Sequence, residues 1–376
     1  MYRAGIYVHI PFCKSKCDYC DFYSVANQEA LIPQFIKALV REIQLYDLDV
    51  TDWKLDSLFF GGGTPSLLEA DHLETILTAL ETVYNLSHLE EITLEANPGE
   101  VSEKKLRDFR SLGINRLSLG AQALKPDLLK FLTRIHTPEQ VLESISAARK
   151  AGFENINCDL IFNIPGQTFN LWKRDLETII QLDLEHLSCY SLTVEEGTLL
   201  YRQVKNKEVK MPDSNRSAEW YYWTQKRLDQ ADFRQYEISN WAKLGKECRQ
   251  NLHYWRIEPY LGFGPAAHGF DGKQRYSNFR SLDRYLKLVE NGKLPRESIA
   301  ENSVLDFTNE LVGFGLRTID GINLDKIPGP YKSTVKQAYQ SKRLKWKNFC
   351  KKEGERIWLT PKGLIFADEI AVDLMI

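Results

Sequence analysis

Apolar and polar positions in the first half of the chain alternate between two periods. Short runs rich in β-branched and aromatic residues, at 4–10, 55–60, 91–95, 115–120, 155–162 and 186–192, read as strands. Between them, apolar residues recur at three- and four-residue spacing over 29–46, 71–84, 103–112, 138–151 and 171–182; Phe35, Leu39, Val40 and Ile43 mark one such face. Ser102 and Thr137 stand where helix N-caps belong, and Gly113 and Gly152 fall just past helix ends. Six strand–helix units in a row predict an α/β fold with a parallel sheet and crossover helices, closed or partly closed as a (β/α)6 barrel.

Beyond 192 the alternation fades. Residues 197–216 read as an irregular excursion and 218–230 as an aromatic-rich helix. The stretches 236–241, 248–255 and 260–269 are dense in aromatics, histidines and glycines, the composition of loops lining a pocket for a flat ligand. From 303 onward, helices at 303–316 and 331–340, a hairpin near 351–355 and a last helix at 361–374 predict a mostly helical, winged-helix-like unit. Its last helix carries Asp368, Glu369 and Asp373, which favours a lid over the barrel mouth over a DNA-binding role. The expected domains are thus a barrel at 1–215, a connecting segment lining the site at 216–300, and a C-terminal domain at 301–376.

Composition narrows the class. The 376 residues carry a net charge of −2, with 27% charged and 43% hydrophobic residues, so no basic field points to a nucleic-acid partner. No run approaches the ~18–20 apolar residues that span a bilayer, and the start of the chain lacks a signal-peptide layout. Cytoplasmic residence is expected, where thiols stay reduced.

The strand register places the odd polar residues. The loop after the first strand, Gly61 to Thr64, Glu95, Gln122 and Asp159 all fall in or just past the C-terminal halves of successive strands, the end of a parallel barrel that carries the site. The run Gly61-Gly62-Gly63 is expected to let backbone approach a ligand and expose its N–H groups. The first loop holds Cys13, Cys17 and Cys20. Structural zinc takes four ligands, and Cys158, Cys189, Cys248 and Cys350 stand alone; seven cysteines, an odd number, argue against disulfides. A [4Fe-4S] cluster held by three thiolates remains, with one iron open to an exogenous ligand.

C-x3-C-x2-C with an aromatic before its last cysteine resembles the radical S-adenosylmethionine (SAM) family. That resemblance implies SAM chelated at the open iron and cleaved by one electron to a 5′-deoxyadenosyl radical. Further motifs, Tyr7-Val-His-Ile-Pro-Phe-Cys13, Gly61-Gly-Gly-Thr-Pro-Ser66, Leu94-Glu-Ala-Asn-Pro-Gly99, Ile164-Pro-Gly-Gln-Thr168 and Tyr236-Glu-Ile-Ser-Asn240, resemble the branch of the oxygen-independent coproporphyrinogen III oxidase and its heme-chaperone relative. The resemblance implies Cys13, Cys17 and Cys20 as cluster ligands and Tyr7, Tyr19, Gly62, Gly63, Thr64, Glu95, Gln122, Arg134 and Asp159 at or near SAM. Where the oxidase has a fourth cysteine this chain has Phe22, and only twelve residues precede Cys13, as on the chaperone side. The branch's heme-associated His-Asn-x-x-Tyr-Trp reads Gln250-Asn251-Leu-His253-Tyr254-Trp255 here, which moves the expected heme ligand to His253, with His268 as an alternative.

The function implied is a cytoplasmic carrier that delivers heme to respiratory hemoproteins, some at the membrane surface, with a flavodoxin or ferredoxin as electron donor. The alternative implied is the oxidase itself; its chemistry is not expected with Phe22 in place. A radical SAM enzyme acting on another substrate is the third.

Overall fold

The residues of each predicted strand sort onto two faces, and that sorting builds the molecule. In the computed structural model, which describes residues 2–376, β1 (Tyr2–Ile10) runs into the two-residue strands β2 (Phe12–Cys13) and β3 (Val25–Ala26), which pair in parallel and close the cysteine loop. There follow α1 (Ile32–Leu45), β4 (Trp53–Gly62), α2 (Ala70–Val83), β5 (Glu91–Ala96), α3 (Glu103–Ser111), β6 (Arg116–Gln122), α4 (Pro126–Phe131), α5 (Pro138–Lys150), β7 (Ile156–Phe162), α6 (Phe169–Ile180) and β8 (His186–Ser191). The predicted caps hold: Ser102 accepts from Lys105 N, Thr137 forms a capping box with Gln140, and Gly113 and Gly152 take positive φ.

The later chain is more regular than its composition predicts. The excursion at 197–216 contains α7 (Leu199–Lys205) and the start of α8 (Ser214–Asp229). The three stretches expected as loops are instead β9 (Arg234–Glu237) with β10 (Asn240–Ala242), α9 (Arg249–Arg256), and β11 (Tyr260–Phe263) leading to β12 (His268–Phe270). β11 is a strand because all four of its residues are buried against β1. It needs Gly262, since a Cβ there would stand 1.9 Å from the His268 carbonyl oxygen. β13 (Gln274–Asn278), α10 (Leu282–Glu290) and β14 (Arg296–Glu301) complete this half.

One sheet runs in the order β14-β13-β12-β11-β1-β4-β5-β6-β7-β8-β10-β9. From β11 to β8 its strands are parallel, seven where six are predicted, and antiparallel strands flank them on both sides. β14 and β9 do not pair with each other, so the barrel is partial. The C-terminal unit comprises α11 (Val304–Gly315), β15 (Ile322–Asn323), α12 (Gly329–Lys342), the hairpin β16 (Cys350–Glu353)–β17 (Arg356–Leu359) and α13 (Ala367–Leu374), the predicted winged-helix-like arrangement.

Alternation within the strands decides what the barrel encloses. Leu117, Leu119 and Ala121 of β6 and Ile156, Cys158 and Leu160 of β7 pack under the helices in the main core. Their neighbours Arg116, Ser118, Gly120 and Gln122, with Asn157 and Asp159, face inward and line a cavity. The inward face of β6 and β7 is thus polar and their outward face apolar, unlike a side-chain-packed barrel core.

Candidate functional site

The cysteine loop is held by its own backbone and by its neighbours. Val25 N donates to Pro11 O at 2.7 Å and Cys20 N to Cys17 O at 3.1 Å. The glycine run then presses against the loop: Gly63 N donates to Ile10 O and Thr64 N to Phe12 O, both at 2.8 Å, while Gly62 N donates to Glu95 Oε2 at 3.1 Å. These N–H groups are therefore occupied within the chain, and the expectation that they are presented to a ligand is corrected. Glycine is needed for close approach, since a Cβ on Gly63 would lie 2.6 Å from Phe12 O, and one on Gly62, at φ +111°, 2.6 Å from the His9 ring.

A chain of side chains ties two of the thiols together. The Thr64 hydroxyl donates to Cys13 Sγ at 3.4 Å, and Asn97 Nδ2 donates to Thr64 Oγ1 at 3.0 Å. Arg134 Nη2 donates to Asn97 Oδ1 at 2.6 Å and Gly120 O at 2.8 Å, and its Nη1 lies 3.7 Å from Cys17 Sγ. Burial pushes the Cys13 thiol up, against the hydrogen bonds from Thr64 and Ser24, and pushes Cys20 up to about 11. The sulfurs act on one another through space, yet no three His, Cys, Asp or Glu side chains among the described residues converge on one ion position. Three soft thiolate donors suit an iron–sulfur cluster with one iron left open better than a structural zinc ion, which takes four ligands.

The cavity beside this loop measures about 960 Å³, near the upper end of ligand sites. Tyr19, Cys20, Gly62, Gly63, Thr64, Glu95, Gln122, Arg134 and Asp159 line it, bringing most of the predicted site residues together. Tyr7 sits behind the wall, its hydroxyl 3.0 Å from His9 Nδ1 and its ring stacked on Phe59. Burial, then the nearby Asp159, pushes Glu95 up to about 8, and burial raises Asp159 as well. Two buried carboxyls that resist ionising are poised to receive a cationic ligand. Gly61 and Gly120 leave room there, since a Cβ at either would crowd Glu95 or Gln122 and Arg134. Gln122 holds φ 64° at the end of β6, local strain of the kind kept at ligand sites.

His253 is not placed to bind heme iron. It is 1% exposed, its Nδ1 lies 2.6 Å from Glu258 Oε2, and its Nε2 lies 2.7 Å from Asp56 Oδ1. With both ring nitrogens engaged by carboxylates, no lone pair is free for a metal, and the expected assignment is corrected. Burial opposes its charge, but Asp56 and Glu258 outweigh this and hold its pKa above the usual histidine value. Gln250 is also buried, accepting from Ser57 Oγ at 2.8 Å. Of α9, Asn251 faces the cavity. His268 opens β12 and does not line the cavity. Sequence reasoning missed Asn97, Arg116, Asn157 and His186; the period-two polarity of Arg116-Leu-Ser-Leu-Gly-Ala-Gln122 was the available signal for Arg116.

Comparison with known proteins follows this geometry. The Radical SAM superfamily profile matches residues 7–179 and the HemN C-terminal domain profile residues 303–366. The fold and the three-thiol loop are those of a radical SAM protein. The heme chaperone HemW of Lactococcus lactis is 34% identical over 97% of this chain and 95% of its own length; that of Bacillus subtilis is 34% identical over 97% of each. The chain belongs to the HemW family of the radical SAM superfamily. The solved structure of coproporphyrinogen III oxidase (HemN) from Escherichia coli superposes with a TM-score of 0.85 over 99% of this chain and 90% of that one; at 21% identity the likeness is one of fold.

Two outcomes follow. His253→Ala should leave the heme absorbance spectrum and stoichiometry unchanged while costing about 1–3 kcal/mol of stability, read by denaturant unfolding, because Asp56 keeps its ion pair with Arg3 but its Oδ1 loses a buried donor. SAM, which the family implies, carries a sulfonium whose positive charge does not titrate. Its affinity should therefore rise from pH ~6 to ~9 as Glu95 ionises, and equilibrium dialysis should find that rise flattened in Glu95→Gln.

Proposed function

We propose that this chain is a heme carrier built on a cluster- and SAM-binding barrel. Cys13, Cys17 and Cys20 would ligate a [4Fe-4S] cluster, while Thr64 and Arg134 hold the sulfurs of Cys13 and Cys17 in place. Gly62, Gly63, Thr64, Glu95, Gln122, Arg134 and Asp159, with Tyr19, would hold SAM, and Tyr7 would support them from behind. When bound, cluster and SAM together supply one-electron reductive chemistry at the sulfonium. The chain's part is to place carboxyls at the ligand's cationic groups and to shut water out between loop and lumen.

Residues 1–215 would form the binding barrel, 216–300 the connecting segment and 301–376 the C-terminal domain. Arg317, Ile365 and Asp368 of that last unit line the cavity, which supports its reading as a lid. Heme would pass in the cytoplasm to respiratory hemoproteins, with a flavodoxin or ferredoxin as reductant.

The observation that carries the proposal is likeness over nearly the whole length to proteins named heme chaperones. Phe22, 64% exposed at the cavity where the oxidase resemblance asks for a cysteine, supports a carrier over that enzyme. Anaerobically reconstituted protein should bind heme at a defined stoichiometry in a spectroscopic titration. Given coproporphyrinogen III, SAM and a reductant, it should yield no protoporphyrinogen. Porphyrin conversion coupled to 5′-deoxyadenosine would overturn the carrier reading.

A further inference from the structure

The cavity continues past the rim to a floor where Arg116 opens β6. Arg116 lines the lumen and is only 2% exposed. Its Nε has no hydrogen-bond partner, and among the described residues its guanidinium enters no ion pair. Burial opposes the charge, but a guanidinium stays protonated in proteins, and Glu91 and Asp159 favour its charge through space. Both acids are already engaged. Glu91 Oε1 accepts from Arg249 N at 3.1 Å and Cys248 Sγ at 3.7 Å; Asp159 accepts from Asn157 Nδ2 at 2.9 Å and Ser118 Oγ at 3.4 Å. Neighbouring polar groups are likewise spent on each other, with His186 between Asn157 Oδ1 at 2.6 Å and the Tyr236 hydroxyl at 2.8 Å.

A buried, unpaired guanidinium facing a cavity calls for an anion. One guanidinium supplies a single positive charge and a two-pronged donor fork, which matches one carboxylate more closely than a multiply charged phosphate. Above it the wall turns apolar and aromatic: Phe59, Ile161, Tyr190, Tyr221 and Ile238, with Tyr190 leaving 40% of its surface uncovered. Gln122 and Arg116 are six positions apart on β6, about 20 Å of strand, so SAM held at the rim leaves the floor to a second ligand.

We infer that Arg116 anchors a carboxylate of a ligand lying inside the lumen and, resting on the heme-carrier reading, that this carboxylate is a porphyrin propionate. Heme is then held within the barrel, edge down.

The test titrates hemin and hemin dimethyl ester, which lacks free propionates, into the reconstituted wild type, Arg116→Met and Arg116→Lys, with SAM binding and thermal midpoint measured on each. Arg116→Met should bind hemin about tenfold or more weakly, Arg116→Lys should fall between, and all three should bind the ester alike. SAM affinity should shift far less than hemin affinity, since Arg116 acts on Glu95 and Asp159 only through space, and the Arg116→Met midpoint should hold or rise once an unpaired buried cation is gone. Equal hemin affinity in Arg116→Met and wild type would overturn the inference alone, as would an equal loss for the ester, a loss confined to SAM, or a lowered midpoint marking a structural role. A wild type that binds no hemin would overturn the carrier reading with it.

Discussion

The site depends on one line of contacts, Cys13–Thr64–Asn97–Arg134–Cys17. It joins the loop after β1 to the ends of β4 and β5 and to the segment after α4, so that elements more than a hundred residues apart meet at two sulfur atoms. Each member is fixed from elsewhere: Thr64 by backbone bonding to Phe12, Arg134 by the Gly120 carbonyl. A loop of eight residues with three thiols has many conformations available. Ties to the parallel sheet select one, and the entropy is met by folding the barrel, not by whatever the thiols later hold.

That constraint explains the two-part lumen. At the rim, acids that resist ionising stand beside the cysteine loop; at the floor, α9 sits over the strand starts, with Cys248 and Arg249 bonded to Glu91. The heme-associated resemblance in α9 falls on this helix, whose His253 acts as a clasp between β4 and the turn after α9, leaving Asn251 to face the cavity. A signature motif can thus mark a place in the fold without marking the ligand-binding atom.

The parallel core and the rim were legible because their causes are local. Strand and helix periods, caps and cysteine spacing all act within a few residues, and strand register then carries Glu95, Gln122 and Asp159 to one end. What escaped depends on distant partners. His253 looks available until Asp56, 197 positions away, takes its Nε2. Residues 260–263 look like a glycine-broken loop until β1 pairs with them, and the glycine run looks open until Ile10 and Phe12 occupy its N–H groups. Arg116 was visible as a letter, but its inward direction follows only from the sheet.

The central claim is that three thiols of one loop, two of them tethered by Thr64 and Arg134, hold a four-iron cluster with a place left for SAM. Its most direct measurement is iron analysis with electron paramagnetic resonance of the anaerobically reconstituted, reduced protein, with and without SAM. The account predicts about four irons per chain and a cluster signal that changes when SAM is added. One zinc ion held by the same thiols, or a four-iron signal indifferent to SAM, would contradict it.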